Sequence, residues 1–194
     1  DVSISRVRGG IDEHFDAVAL ARHLAGRTVP IVVDLDDVTR ITSFGVRQWL
    51  DGLRGLPTES LYFVRCRPAM VAQFNSVPQF GGRGNIVSFY CPYLCPDCDT
   101  AFEKLLDVRT GKDALATQTA PPAKCPKCGA DAEFDDLEQS YFRRPAAAIP
   151  ASIPPLVVAA IDGTLDAPKA SFRVAKHIDG DLTAAIAPDS SITA

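Results

Sequence analysis

Residues 29 to 53 read V-P-I-V-V-D-L-D-D-V-T-R-I-T-S-F-G-V-R-Q-W-L-D-G-L, and the fold turns on how this stretch divides. The run V-P-I-V-V-D-L at 29–35 is nearly continuous in apolar β-branched residues, the pattern of a strand covered on both faces. The segment at 42–53 opens on hydroxyl residues suited to an N-cap and sets Val46, Trp49, Leu50 and Leu53 on one helical face. A buried strand running into an amphipathic helix is half of a crossover unit, so an α/β layer is expected.

The flanks repeat the theme. V-S-I-S-R-V-R at 2–8 alternates as a half-buried strand does. E-H-F-D-A-V-A-L-A-R-H-L-A-G at 13–26 has helical apolar spacing and ends at Gly26, where a C-cap belongs. L-Y-F-V-R-C at 61–66 is a further apolar strand, Pro68 opens a short helix, and N-I-V-S-F-Y at 85–90 is a fourth strand. Alternating strands and helices through residue 90 predict parallel pairings with right-handed crossovers.

After residue 90 the composition changes. C-P-Y-L-C-P-D-C at 91–98 is followed by C-P-K-C-G at 125–129. Cys95/Cys98 and Cys125/Cys128 form two C-P-x-C pairs, each short enough to turn both sulfurs toward one ion. Two such knuckles predict a closed, tetrahedral, four-cysteine zinc ribbon over residues 91–142. Soft thiolates favour Zn²⁺ over hard cations, and the closed ligand set predicts a structural metal with no part in catalysis. Cys91 offers a C-x3-C alternative for the first knuckle, and a lone C-x-x-C can be a redox pair, but only C-P-D-C repeats the shape of C-P-K-C. Cys66, inside a strand run, reads as a small buried hydrophobe.

Residues 143–170 begin R-R-P-A-A-A-I-P-A-S-I-P-P and read as a Pro/Ala-rich linker. S-F-R-V-A-K-H-I-D-G-D-L-T-A-A-I, within 171–194, carries the Asp-Gly of a tight turn between two alternating runs. It predicts a β-hairpin that starts a second copy or completes the sheet.

Composition excludes several classes. A net charge of −4 and a pI near 5.3 oppose a protein built around nucleic-acid phosphates. The longest apolar stretch, P-P-L-V-V-A-A-I at 154–161, is too short to cross a bilayer, and nothing at the start resembles a signal peptide. The chain begins at Asp1 in strand-like residues, as a piece of a longer protein would. Six cysteines, four of them grouped for metal, fit a cytoplasmic location.

Asp34-Leu35 ending a strand, Val38 and Ile41 in the loop, then Ser43 and Gly45 opening a helix resemble the STAS family of anti-sigma-factor antagonists and sulfate-transporter tails. G-G-I-D-E-H-F at 9–15 resembles that family's first strand-to-helix turn, and the likeness spans roughly residues 1–90. It implies a mixed sheet with helices on one side and a bacterial, non-enzymatic signalling or scaffold module. The implied partner is a kinase, an anti-sigma factor or an assembly component. Ser43 stands where antagonists are phosphorylated, although Thr42 replaces the family Asp and Phe44 the second small hydroxyl residue. Either Thr42 or Ser43 also suits a plain N-cap. A second class of function is a nucleic-acid-binding zinc ribbon with the α/β part as effector.

The remaining candidates are weaker. Asp34, Asp36 and Asp37 could hold Mg²⁺, but with no phosphate loop nearby a solvated acidic loop is expected. G-G-R-G-N at 81–85 lacks the Lys-Ser/Thr of a P-loop and reads as a turn. His14, His23 and His177 have no partner at a motif spacing, so no catalytic constellation is expected. Arg143 and Arg144 suit an acidic partner or a solvated face.

Overall fold

The computed structural model describes residues 1–25, 30–150 and 152–166. Its first half alternates strand and helix: β1 (Ser3–Ile11), α1 (Ala17–Ala25), β2 (Ile31–Ile41), α2 (Ser43–Leu53), β3 (Leu61–Val64), α3 (Pro68–Ser76) and β4 (Asn85–Ile86). The four strands lie in the order β1-β2-β3-β4 and every neighbouring pair is parallel. The sheet is therefore parallel throughout, and the mixed sheet implied by the family resemblance is not what these residues form. Each connection passes through a helix, as a parallel pair requires.

Register places the helices. Ser5, Val33 and Phe63 are partners across β1, β2 and β3, so they share a face. Ser5 Oγ lies 2.7 Å from His23 Nε2 on α1, and Phe63 packs at a tilt between Trp49 of α2 and Phe74 of α3. Helices α1 to α3 thus cover one face, around the fully buried Trp49, Phe63, Phe80 and Leu35. Val32 and Val64 point to the opposite face and are also fully buried. The sheet's centre is covered on both faces, where helices on one side alone were expected.

Gly45 is what lets α2 approach β1. A Cβ there would stand 1.8 Å from the Ile11 carbonyl oxygen, so only glycine fits without moving the strand end.

The second half forms an antiparallel sheet in the order β6-β5-β8-β7. Its elements are β5 (Ser88–Cys95), β6 (Thr100–Asp107), α4 (Lys112–Thr117), β7 (Ala123–Lys124) and β8 (Asp131–Phe134). The two sheets are joined by one run of chain. Val87 N–H donates to Phe63 O at 2.8 Å, Cys66 N–H to Ser88 O at 3.1 Å, and Tyr90 N–H to Cys66 O at 2.9 Å. Residues 85–95 therefore border β3 first and then become the centre of the second sheet. A division at residue 90 cuts through β5, because the side of β3 left open beyond β4 is paired by β5 itself.

Most of residues 143–166 are helical where an extended linker was expected: 143–147 close α5 (Glu138–Ala147) and 155–166 form α6 (Pro155–Asp166). Helix α5 buries Tyr141, Phe142 and Pro145, and Arg144 N–H donates to Asn75 Oδ1 at 2.8 Å. Helix α6 starts on Pro155, whose missing N–H is no loss in a first turn. It then buries Val157, Ala160, Ile161 and Thr164, one stripe at helical spacing. The Pro/Ala composition has two helical uses here: proline at a start and alanine as the best helix former. The hairpin expected at 171–194, His177 and the expected cap Gly26 lie outside the described residues.

Candidate metal centre

Cys95 ends β5 and Cys98 precedes β6; Cys125 follows β7 and Cys128 precedes β8. Two hairpin ends of one sheet thus bring together the two knuckles expected from spacing. The four sulfurs all lie within 4.8 Å of one another. Cys95 Sγ and Cys128 Sγ are 3.5 Å apart, and Cys98 Sγ and Cys125 Sγ 3.6 Å. Four thiolates bound tetrahedrally at about 2.3 Å from an ion are about 3.8 Å apart, so the quartet has the size of a metal site. All four are free of disulfides.

The knuckles are built alike. Asp99 N–H donates to Cys95 O and Gly129 N–H to Cys125 O, each at 2.9 Å. The residue after the second cysteine takes a left-handed conformation in both, Gly129 at φ +77° and Asp99 at φ +52°. Glycine is the residue that takes this conformation most readily. The first knuckle uses Asp, which tolerates that region better than most side chains.

Electrostatics favour a cation among these sulfurs. Burial opposes the Cys125 thiolate, but N–H groups of Cys128 and Lys127 and the Cys98 side chain bring its pKa down to about 6. At Cys128 the Ala130 N–H favours the thiolate, yet the sulfurs of Cys95 and Cys98 push it up to about 12. Like charges this close exclude one another, and a divalent cation at the centre removes the conflict. Lys127 N–H on Cys125 Sγ at 3.4 Å and the Thr100 hydroxyl, 3.2 Å from Cys98 Sγ, surround the quartet. Sequence spacing did not single out Thr100.

Cys91 is not in the quartet. It is fully buried within β5, opposite Lys104, and burial pushes its thiol up to about 12. Cys66 is fully buried and its thiol is raised in the same way.

A small aromatic core supports the centre. Tyr93 stacks on Phe102 with centroids 5.6 Å apart and meets Phe134 edge-on at 5.7 Å. Phe134 in turn meets Tyr141 and Phe142 of α5 at 5.3 and 5.8 Å, which ties the ribbon to the rest of the fold.

The start of α2 is arranged differently from a Ser43 cap. Thr42 is the N-cap, its hydroxyl accepting from Gly45 N–H at 3.1 Å. Ser43 is the first helical residue and is exposed. Phe44 beside it is 47% exposed, and the exposed Arg40 and Arg47 flank the same turn. Sequence pattern missed Phe44 as a surface residue because large aromatics are ordinarily core.

Asp34 and Asp36 form neither a solvated loop nor a Mg²⁺ cage. Both are buried in β2. Asp34 pairs with Arg65 and with Arg6 at 3.2 Å. Asp36 accepts from Tyr90 Oη at 2.8 Å and lies 3.6 Å from Arg65. Asp37 pairs with Arg8 at 3.1 Å. Buried carboxylates need such partners, and these come from positions distant in the chain. Among the described residues the cysteine quartet is the group of Cys, His, Asp or Glu placed to hold a metal.

Arg143 and Arg144 donate to the carbonyls of Asn75 and Gly82, each at 3.0 Å, and so hold α5 to the end of α3 and the loop after it. G-G-R-G-N lies largely in the turn before β4, as expected. Exposed His14 lies beside Glu13, while His23 meets Ser5. Comparison with protein-family models, curated proteins and solved structures returns no match to this chain.

Proposed function

We propose that this chain is a non-enzymatic protein-interaction module, a STAS-like regulator or scaffold whose ribbon is stapled by a structural zinc ion. The observation that carries the docking reading is the division of labour at α2. Thr42 caps the helix, which leaves the Ser43 hydroxyl exposed beside an exposed phenylalanine. A phosphate on Ser43 would meet the positive end of the helix dipole and place charge next to an apolar contact residue. A partner kinase, anti-sigma factor or assembly component is the class of protein this surface would receive.

The zinc reading is supported by the donor set: four thiolates, no oxygen ligand, and sulfur spacings near those of a tetrahedral site. The nucleic-acid alternative is disfavoured by the ribbon's own charge. Residues 91–142 hold ten Asp or Glu against five Lys or Arg, so the ribbon repels phosphate.

The docking test places a photo-crosslinking benzoyl-phenylalanine at position 44 and irradiates the protein in its native lysate. A defined protein adduct that disappears in Ser43→Asp is expected. Absence of any adduct, or an adduct indifferent to Ser43→Asp, overturns the switch. Metal content of the protein purified without added metal tests the staple, with one zinc per chain expected.

A further inference from the structure

The quartet is unequal in its access to solvent. Cys128 is exposed and Cys98 partly so, whereas Cys95 and Cys125 are buried. Two sulfur contacts cross between knuckles: Cys95 to Cys128 at 3.5 Å and Cys98 to Cys125 at 3.6 Å. A site built only as a staple has no need of an exposed ligand, and this one turns the Cys128 sulfur most openly to reagents in solution, with the buried Cys95 sulfur in contact behind it.

We propose that the quartet is a redox-modification site for small two-electron oxidants of the hydroperoxide class, entered at Cys128 and closed by a Cys95–Cys128 disulfide. This rests on the metal reading for its consequence, loss of the ion, and on the sulfur geometry alone for its pairing. The Cys128 thiolate attacks the peroxide's outer oxygen, the O–O bond breaks and hydroxide leaves, giving a sulfenic acid. The Cys95 thiolate then attacks the Cys128 sulfur, forming the S–S bond and expelling a second hydroxide. Two electrons pass from the two sulfurs to the peroxide, which is reduced to water once the hydroxides are protonated. A metal held by four thiolates keeps only two after this step and dissociates. Cys98 and Cys125 are then the pair for a second equivalent of oxidant. A dithiol reductant with added zinc reverses both steps.

Reactivity follows exposure, which separates Cys128 from the two thiols outside the quartet. Cys66 and Cys91 are fully buried, and they remain reduced under the same dose.

The experiment uses the wild-type chain with its native metal content measured first. It is treated with less than one equivalent of hydrogen peroxide while released zinc is followed with a colorimetric chelator. Free thiols are then blocked and disulfides mapped by mass spectrometry. The expected result is loss of zinc in step with a Cys95–Cys128 disulfide as the dominant product. A first disulfide within one knuckle, between chains, or through Cys91 overturns the inference, as does stable over-oxidation of Cys128 without a disulfide. If the starting protein holds no zinc, the metal reading fails, and the disulfide map still decides the pairing. A brief pulse of N-ethylmaleimide on untreated protein gives an independent check, with Cys128 expected to be the first cysteine alkylated.

Discussion

The two sheets reach order by different means. In the parallel sheet, strands pair through helical crossovers and close over Trp49, Phe63, Phe74 and Phe80, so side-chain burial alone can hold it. In the ribbon, β7 is two residues long, β8 is four, and both faces of β8 are partly open. Such short hairpins are marginal in water, and the metal proposed at their tips would supply what the core cannot. Charge divides along the same line: residues 1–90 have nine acidic and ten basic side chains, against ten and five in the ribbon. The region that encloses its own core has an even charge balance; the one that gathers four cysteines is acidic.

The sharpest way to break this comparison is to strip the metal with a chelator under reducing conditions. Structural zinc sites contribute on the order of 10 kcal/mol to folding, the largest effect expected here. Amide exchange should rise across residues 95–134. Because β5 also borders β3, exchange at residues 61–66 should rise as well, by a smaller factor. Unchanged protection at 61–66 would mean the two sheets open independently.

Gly45→Ala attacks the other region. The added methyl collides with the Ile11 carbonyl, and a loss of about 3 kcal/mol is expected in a urea titration, with zinc content unchanged. A variant as stable as the parent would show that the strand end can move aside.

The start of α2 allows a finer cut. Thr42→Ala should cost about 1 kcal/mol as the cap is lost. Ser43→Ala, at an exposed position with no capping bond, should stay within about 0.5 kcal/mol of the parent. Thermal melts of the two variants side by side check the assignment, and equal losses would return the cap to both residues.

The smallest effect concerns acid. A bond from Arg40 holds the Asp12 carboxyl below its usual 3.8, against the opposing pull of burial and with help from His14 N–H. A lowered folded pKa gives stability that is present above the unfolded value and lost as pH falls through the folded one. The parallel sheet should therefore weaken slightly below about pH 4, and Asp12→Asn should flatten that part of the profile. Chemical denaturation at several acid pH values is the measurement.

Residues 31–35 and 61–64 were legible as strands because they are buried and mostly apolar, whereas residues 36–41, read as a loop, continue β2 through the polar Asp36, Asp37, Thr39 and Arg40. The quartet was legible because metal geometry constrains local spacing within each knuckle. What stayed hidden depends on partners far along the chain. Asp34 and Asp36 look like surface carboxylates until Arg6, Arg65 and Tyr90 close around them. Helix α6 looked like a linker because its prolines were read as breakers, although Pro155 heads a stripe of Val157, Ala160, Ile161 and Thr164. The parallel pairing followed from the alternation of strand and helix, whereas the use of β5 by both sheets rests on contacts that local periodicity does not encode.

Strand β5, shared by the two sheets, gives the molecule an unusual optical layout. Its one tryptophan, Trp49, is fully buried against Phe80, with the indole N–H donating to Phe80 O at 2.7 Å, deep in the parallel sheet's core. Of four tyrosines, Tyr90, Tyr93 and Tyr141 lie on the shared strand or on the helix packed over it. Indole emission therefore reads the parallel sheet and phenol absorbance mainly the ribbon and its junction. The unmodified chain carries a separate colour channel for each half of its own architecture.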